Sequence, residues 1–282
     1  MMNSASPPER CRNQQCPQSR PSWWRWRRPK GVWLNKNWYC SLECFEKAAA
    51  ALFARMDLKA PRSRQTRYRM PLGLLMLSKG LITNERLQEA LKVQRESQRG
   101  RLGDWLRQLG MVTEDQLTSA LGMQWGYPVF HLAQSPGFAE CAAMAPLPVL
   151  EASCMAPVHY LPHSRTLYVA FSDGIDFAAL RGLEQMLECS TQPCVIGETE
   201  MAEALDEIRR LPRPSETVLE CPCEPQKLAS TTRDWAQTNA AERVGVVTCS
   251  EYLWIRIENT SNSGHLLVPL LEAPQPVAPM TL

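Results

Sequence analysis

The 282-residue chain has no run of apolar residues long enough, about 18 or more, to cross a bilayer. Its opening residues, MMNSASPPERC, carry no apolar stretch after a basic segment, so no secretory leader is read there and a cytoplasmic protein is expected. Histidine is scarce, and His131, His159, His163 and His265 show no paired helical spacing. No Ser/His/Asp set and no pair of carboxylates stands out, and the phosphate-cradling pattern GxxxxGK[ST] is missing. Enzymatic activity is therefore not expected.

What is present is unevenly distributed. Hydrophobic residues make up 44% of the chain and charged residues 21%, enough for a sizeable core and two modest domains. The formal charge of +2 conceals an asymmetry: residues 1–70 hold 15 Lys and Arg against 4 acids, while the remainder holds 16 against 25. A basic head of that strength suits a polyanionic partner, and the acidic remainder does not. The 11 cysteines are odd in number and unevenly spaced, which argues against an extracellular disulfide framework and for metal ligation by some of them.

The expected organisation is α+β: two tandem helical hairpins, then a small α/β subdomain, with a zinc-finger-like unit in front. Residues 1–56 form the Cys, Trp and Arg rich head, ending in an alanine-rich helix, and residues 57–69 a basic linker with Pro, Ser and several Arg. Residues 70–132 carry the helical repeat. Residues 133–212 carry the α/β part, where a Pro-rich stretch leads into strands at 158–161 and 166–171, a helix at 175–187, a strand at 193–196 and a helix at 198–210. Residues 213–282 are an extension of unassigned role with a helix at 229–242, a hairpin at 244–258 with 265–270, and a tail rich in proline.

Residues 71–94 (PLGLLMLSKGLITNERLQEALKVQ) and 101–124 (RLGDWLRQLGMVTEDQLTSALGMQ) align at an offset of 30 without a gap. Leu72 and Leu102, Gly73 and Gly103, Gly80 and Gly110, Thr83 and Thr113, Leu87 and Leu117, Ala90 and Ala120, Leu91 and Leu121, and Gln94 and Gln124 coincide. Met76 with Leu106 and Ile82 with Val112 are conservative. Gly80 and Gly110 stand where a helix end tolerates positive φ, and Thr83 and Thr113 follow as N-caps. Taken as residues alone, the pattern fits two helical hairpins whose leucines and glycines serve packing, or a site in which backbone is bared beside Gly73 and Gly103, Arg101 supplies a cation, and Gln94 and Gln124 bond a ligand or a neighbouring helix end.

The segment RLGxxLxxxGxxxxxxLxxxLxxQ, complete as Arg101, Leu102, Gly103, Leu106, Gly110, Leu117, Leu121 and Gln124, resembles the motif of the MshEN domain. That is the N-terminal domain of type II secretion and type IV pilus assembly ATPases, whose members bind cyclic di-GMP through two tandem copies. The resemblance continues through GYPVFHL and APVHYLPHSRTLYVAFSD and covers roughly residues 70–212. It implies a cyclic di-GMP site at those eight positions together with Leu72, Gly73, Met76, Gly80, Leu87, Leu91 and Gln94, and secretion or pilus assembly proteins as partners. The first copy departs from the pattern: Pro71 stands in place of Arg, Met76 in place of Leu, and six residues, 95–100, separate the copies. Without the GxxxxGK[ST] loop of the ATPase relatives, a sensor or adaptor is expected rather than the motor.

In the head, Cys11 and Cys16 (CRNQQC) and Cys40 and Cys44 (CSLEC) form two close pairs, the second entering a helix. The arrangement resembles a treble-clef or zinc-ribbon-like finger and implies a structural zinc; four cysteines simply packed in a core are the alternative. Between the pairs lie Trp23, Trp24, Arg25, Trp26, Arg27 and Arg28, residue types that stack on bases and pair with phosphates. The same residues also suit a small core with a solvated basic face, so the rival function is a zinc-finger regulator that binds nucleic acid.

Overall fold

Ser41 begins the first helix because its side-chain oxygen accepts the Cys44 backbone N–H at 3.2 Å, relieving one of the free donors of the first turn. In the computed structural model, which describes residues 11–16, 31–56, 70–132, 138–219, 224–260 and 262–270, the chain divides into two compact units. One contains the repeat and the residues up to Pro212. The other joins the described residues up to Met56 with those from Arg213 onward. No helix among the described residues is long and apolar enough to cross a membrane.

The head consists of a turn at 11–16, a hairpin of β1 (Val32–Leu34) and β2 (Asn37–Tyr39), and α1 (Leu42–Arg55). Phe45, Ala49 and Phe53 recur at every fourth position of α1 and are buried.

The repeat unit opens with α2 (Leu72–Ser78) and α3 (Asn84–Ser97), followed by α4 (Leu102–Gln108) and α5 (Glu114–Trp125). Each short helix ends at a glycine with positive φ, +67° at Gly80 and +65° at Gly110. Beyond it, Leu81 N–H returns to Met76 O and Met111 N–H to Leu106 O, both at 2.9 Å. Each long helix starts at the expected threonine. Thr83 accepts from Arg86 N–H, and Thr113 and Gln116 form a reciprocal capping box.

Two short helices, α6 (Phe138–Ala142) and α7 (Leu147–Ala152), occupy part of what the sequence presents as a Pro-rich connection. The reason is positional: Pro148 lies in the first turn of α7, where a missing N–H costs no helical bond. A three-stranded sheet follows, with β3 (Met155–Leu161) antiparallel to β4 (Thr166–Phe171) and β4 parallel to β5 (Ser190–Val195). The parallel connection is made by α8 (Phe177–Leu187), capped by Asp176, and the unit closes with α9 (Glu198–Arg210).

The last segment supplies β6 (Ser215–Val218), α10 (Pro225–Thr238), β7 (Arg243–Cys249), β8 (Tyr252–Glu258) and β9 (Ser263–Pro269). What the sequence presents as a head and a remote extension is one six-stranded sheet of order β2-β1-β7-β8-β9-β6. Parallel pairing of Trp33 with Arg243 and of Leu34 with Val244 joins the two parts, and the Asn35 side chain accepts Val246 N–H at 2.8 Å. Phe45, Ala49 and Phe53 share a core with Leu228 and Ala236 of α10 and with Val246, Leu253, Ile255 and Val268 of the sheet. A segment as short as residues 11–56 buries little apolar surface by itself, so its helix and hairpin are completed by strands from the other end of the chain.

Candidate functional site

The core between the two hairpins consists of Met76, Ile82, Leu87, Ala90, Leu106, Val112, Leu117 and Ala120, four pairs at the 30-residue offset. Leu72, Leu91, Leu102 and Leu121 pack around it, partly buried. The glycines continue the symmetry. A Cβ on Gly73 would meet Leu87 Cδ1 at 2.7 Å and Leu102 Cδ2 at 3.1 Å; one on Gly103 would meet Leu117 Cδ1 at 3.0 Å and Leu72 Cδ2 at 3.5 Å. The space a side chain would fill beside these two glycines is thus taken by leucines, and both glycines are buried. Gly80 and Gly110 are exposed and serve as helix stops.

The two glutamines also act as a pair. Gln94 Nε2 donates to Gly100 O at 3.1 Å, and Gln124 Nε2 donates to Met70 O at 2.8 Å. Each long helix therefore holds the carbonyl just ahead of the other hairpin's short helix, which closes the repeat on itself. Both glutamines thus bond the start of a neighbouring helix, one of the two roles open to them.

Arg101 lies at the start of α4 with an exposed side chain. Its backbone N–H donates to Asp104 Oδ2 at 3.0 Å, and its guanidinium pairs with the Asp173 carboxylate while donating to Asp173 O at 3.2 Å. Asp173 sits just after β4, so a strand end of the α/β part orients the one arginine of the motif. In the first copy Pro71 and Leu74 stand at the positions of Arg101 and Asp104. A proline has no N–H to satisfy, so the carboxylate three residues on has no task there.

A second polar contact fastens the same hairpin. Glu114 Oε1 accepts Thr199 N–H and Glu114 Oε2 accepts the Thr199 hydroxyl, both at 2.7 Å. Arg107 reaches Glu114 Oε2 at 3.5 Å and Glu198 Oε2 at 2.6 Å. Burial pushes the Glu114 carboxyl up, but the Thr199 hydroxyl and N–H together with Arg107 outweigh it and hold the group below its usual value. The motif gives no sign of Asp173, Glu198 or Thr199 as partners, although Asp104 is legible as an acidic residue three positions after a helix start.

In the other unit the Sγ atoms of Cys11, Cys16, Cys40 and Cys44 all lie within 4.8 Å of one another, close enough to hold a metal ion. A tetrahedral thiolate site with metal–sulfur bonds of about 2.3 Å has sulfur–sulfur edges of about 3.8 Å, comparable to this spacing. Cys16 and Cys40 approach to 3.4 Å, and Asn13 Nδ2 donates to Cys44 Sγ at 3.3 Å. Burial raises the Cys44 thiol, but hydrogen bonds from Asn13, Ser41 and the neighbouring thiols bring it below its usual value. Burial and the bonds to Cys16 and Cys11 push Cys40 up. Four thiols so close cannot all ionise without a cation among them. Trp23, Trp24, Arg25, Trp26, Arg27 and Arg28 lie outside the described residues.

No family model and no curated protein matches the chain. Among solved structures it is similar to MshE with cdg, at 26% identity over 50% of this chain and 99% of that one, with a TM-score of 0.43. It is also similar to two structures of the N-terminal domain of XpsE. One is 16% identical over 52% of this chain and 97% of that one, with a TM-score of 0.37. The other is 22% identical over 54% and 99%, with a TM-score of 0.30.

Proposed function

We propose that residues 70–212 form an MshEN-like sensor domain that binds cyclic di-GMP, and that the chain is a non-enzymatic adaptor of secretion or pilus assembly machinery. The observation that carries the reading is the repeat itself. Its core, its glycine stops and its Gln94 and Gln124 closures match pair by pair, while Arg101, oriented by Asp173, stands at the head of the one complete motif. An arginine so placed stacks its planar guanidinium on guanine or pairs with phosphate, worth about 1–2 kcal/mol per contact. Asp173 narrows the rotamers Arg101 samples before the ligand arrives, which lowers the ordering cost of binding.

Isothermal titration of the full chain with cyclic di-GMP tests the reading. Saturable heat at tens of micromolar protein is expected, and Arg101→Ala should weaken binding about tenfold, corresponding to ~1–2 kcal/mol. Absence of heat removes the nucleotide and leaves a docking role for the domain.

For the cysteine cluster the proposed occupant is a structural zinc, since four soft thiolates in this spacing suit that ion. Metal analysis of the purified protein should return about one zinc per chain, and chelation should lower thermal stability because metal binding is linked to folding. A metal-free protein with unchanged stability would return the four cysteines to simple packing residues.

A further inference from the structure

The six-stranded sheet has a second face that the cyclic di-GMP reading does not use. Because strand residues alternate, Val246, Leu253, Ile255, Leu266 and Val268 belong to the core with α1 and α10, and their neighbours project the other way. Registers place Gly245, Arg256, His265 and Glu216 in one row across β7, β8, β9 and β6 on that opposite face. Beside the row sits Trp254, fully buried.

Trp254 Nε1–H donates to His265 Nδ1 at 3.1 Å, and the two rings meet edge to face. A neutral imidazole that accepts at Nδ1 carries its proton on Nε2. Burial, with the charges of Arg256 and Arg213, lowers the His265 pKa to about 3, so the ring stays in this neutral form at ordinary pH. His265 is 1% exposed, and its Nε2 has no hydrogen-bond partner among the described residues. On the adjacent strand Arg256 Nε is likewise buried and unpartnered, while Nη2 of the same guanidinium holds Glu258 Oε1 at 2.9 Å. Arg213 pairs with Glu216 at 2.7 Å.

Two N–H donors at directly paired cross-strand positions thus lack an acceptor among the described residues. Leaving such donors dry is costly, and a cation or an apolar group would leave them so. The guanidiniums of Arg256 and Arg213 stand beside the carboxylates of Glu258 and Glu216, and these four charges sum to zero, which favours a ligand of single negative charge over a dianion.

We propose that this row is a binding site for a small singly charged oxyanion, a carboxylate or dihydrogen phosphate group, that accepts from His265 Nε2–H and Arg256 Nε–H. The site lies in the unit without the repeat, so it stands or falls separately from cyclic di-GMP binding.

Thermal unfolding of the full chain at pH 6, titrated with potassium acetate or potassium dihydrogen phosphate against potassium chloride at equal ionic strength, tests it. At least one oxyanion should raise Tm saturably beyond chloride and move the His265 Nε2–H NMR resonance with the same midpoint. Saturation at the lower concentration by acetate assigns a carboxylate ligand, and by phosphate a phosphate ligand. Arg256→Gln should raise the midpoint at least tenfold. The proposal is overturned by a chloride-like response to both anions, by an unmoved resonance, which marks a water as the occupant, or by an unchanged midpoint in Arg256→Gln. If that variant does not fold, the wild-type resonance alone decides between the same two outcomes.

Discussion

At the 30-residue offset the two copies of the repeat share their interior and differ in what reaches outward. Met76, Ile82, Leu87 and Ala90 face Leu106, Val112, Leu117 and Ala120 in one core, and the glutamine closures are reciprocal. The residues by which the second copy grips the α/β part have no polar equivalent of the same reach in the first. Arg101, which pairs with Asp173, corresponds to Pro71; Arg107, which pairs with Glu198, corresponds to Leu77; Glu114, which accepts from Thr199, corresponds to Asn84. Duplication kept the packing device in both copies, while fastening and the candidate ligand contact belong to one. An effector that engages Arg101 would therefore act on the hairpin that is tied to the rest of the unit.

The shared interior predicts the largest effects, and equal ones. Met76 and Leu106 are both fully buried, so Met76→Ala and Leu106→Ala should each cost about 2–5 kcal/mol in urea unfolding. A difference of more than about 2 kcal/mol between the two would break the symmetry of the core, given the spread of cavity costs at fixed chemistry. On ligand binding the copies should diverge. Arg101→Ala should lose about tenfold in cyclic di-GMP affinity, whereas Pro71→Ala should leave it nearly unchanged because that position carries no cation. Equal losses would mean that the first copy contributes by a route other than an arginine.

The helix starts and stops of the repeat are legible in the sequence because caps are local: Thr83, Thr113, Gly80 and Gly110 need partners only a few residues away. The same holds for α9, whose expected limits coincide with the observed ones, and for the cysteine quartet, whose members sit at a turn and a helix entry. The pairing of β1 with β7 is not legible, since about 200 residues separate Trp33 from Arg243 and neither strand carries a mark of its partner. For the same reason Asp173 and Thr199 escape a motif that ends at Gln124. The glycines illustrate a subtler limit: Gly73 and Gly103 are legible as close-approach positions, but the pattern does not say whether a ligand or a leucine makes the approach.

The fastening of the second copy should respond to acid. The Glu114 carboxyl titrates lower in the folded chain than its usual value near 4.5, so its contribution is present above that value and lost as pH falls through the lowered one. Glu114→Ala should destabilise by roughly 1–2 kcal/mol at pH 7 and by less with each step below pH 4.5, because the wild type then loses the same bonds. Asn84→Ala, at the matching position of the first copy, should show no such dependence. Unfolding of both variants between pH 3 and pH 7 would measure the difference, and parallel curves would remove Glu114 from the fastening.

The smallest effects belong to the glutamines, and they bear most directly on whether the repeat is symmetric beyond its core. Gln94 and Gln124 each make one exposed amide-to-carbonyl bond, of a kind worth about 0.5–1.5 kcal/mol net. Their settings differ in one respect: Gln94 bonds Gly100, next to Arg101, and Gln124 bonds Met70, next to Pro71. Gln94→Ala and Gln124→Ala should therefore cost similar stability, but only Gln94→Ala should weaken cyclic di-GMP binding as well, because it loosens the residue ahead of the arginine. If Gln124→Ala weakens binding equally, the start of α2 takes part in the site despite its proline, and the ligand spans both copies.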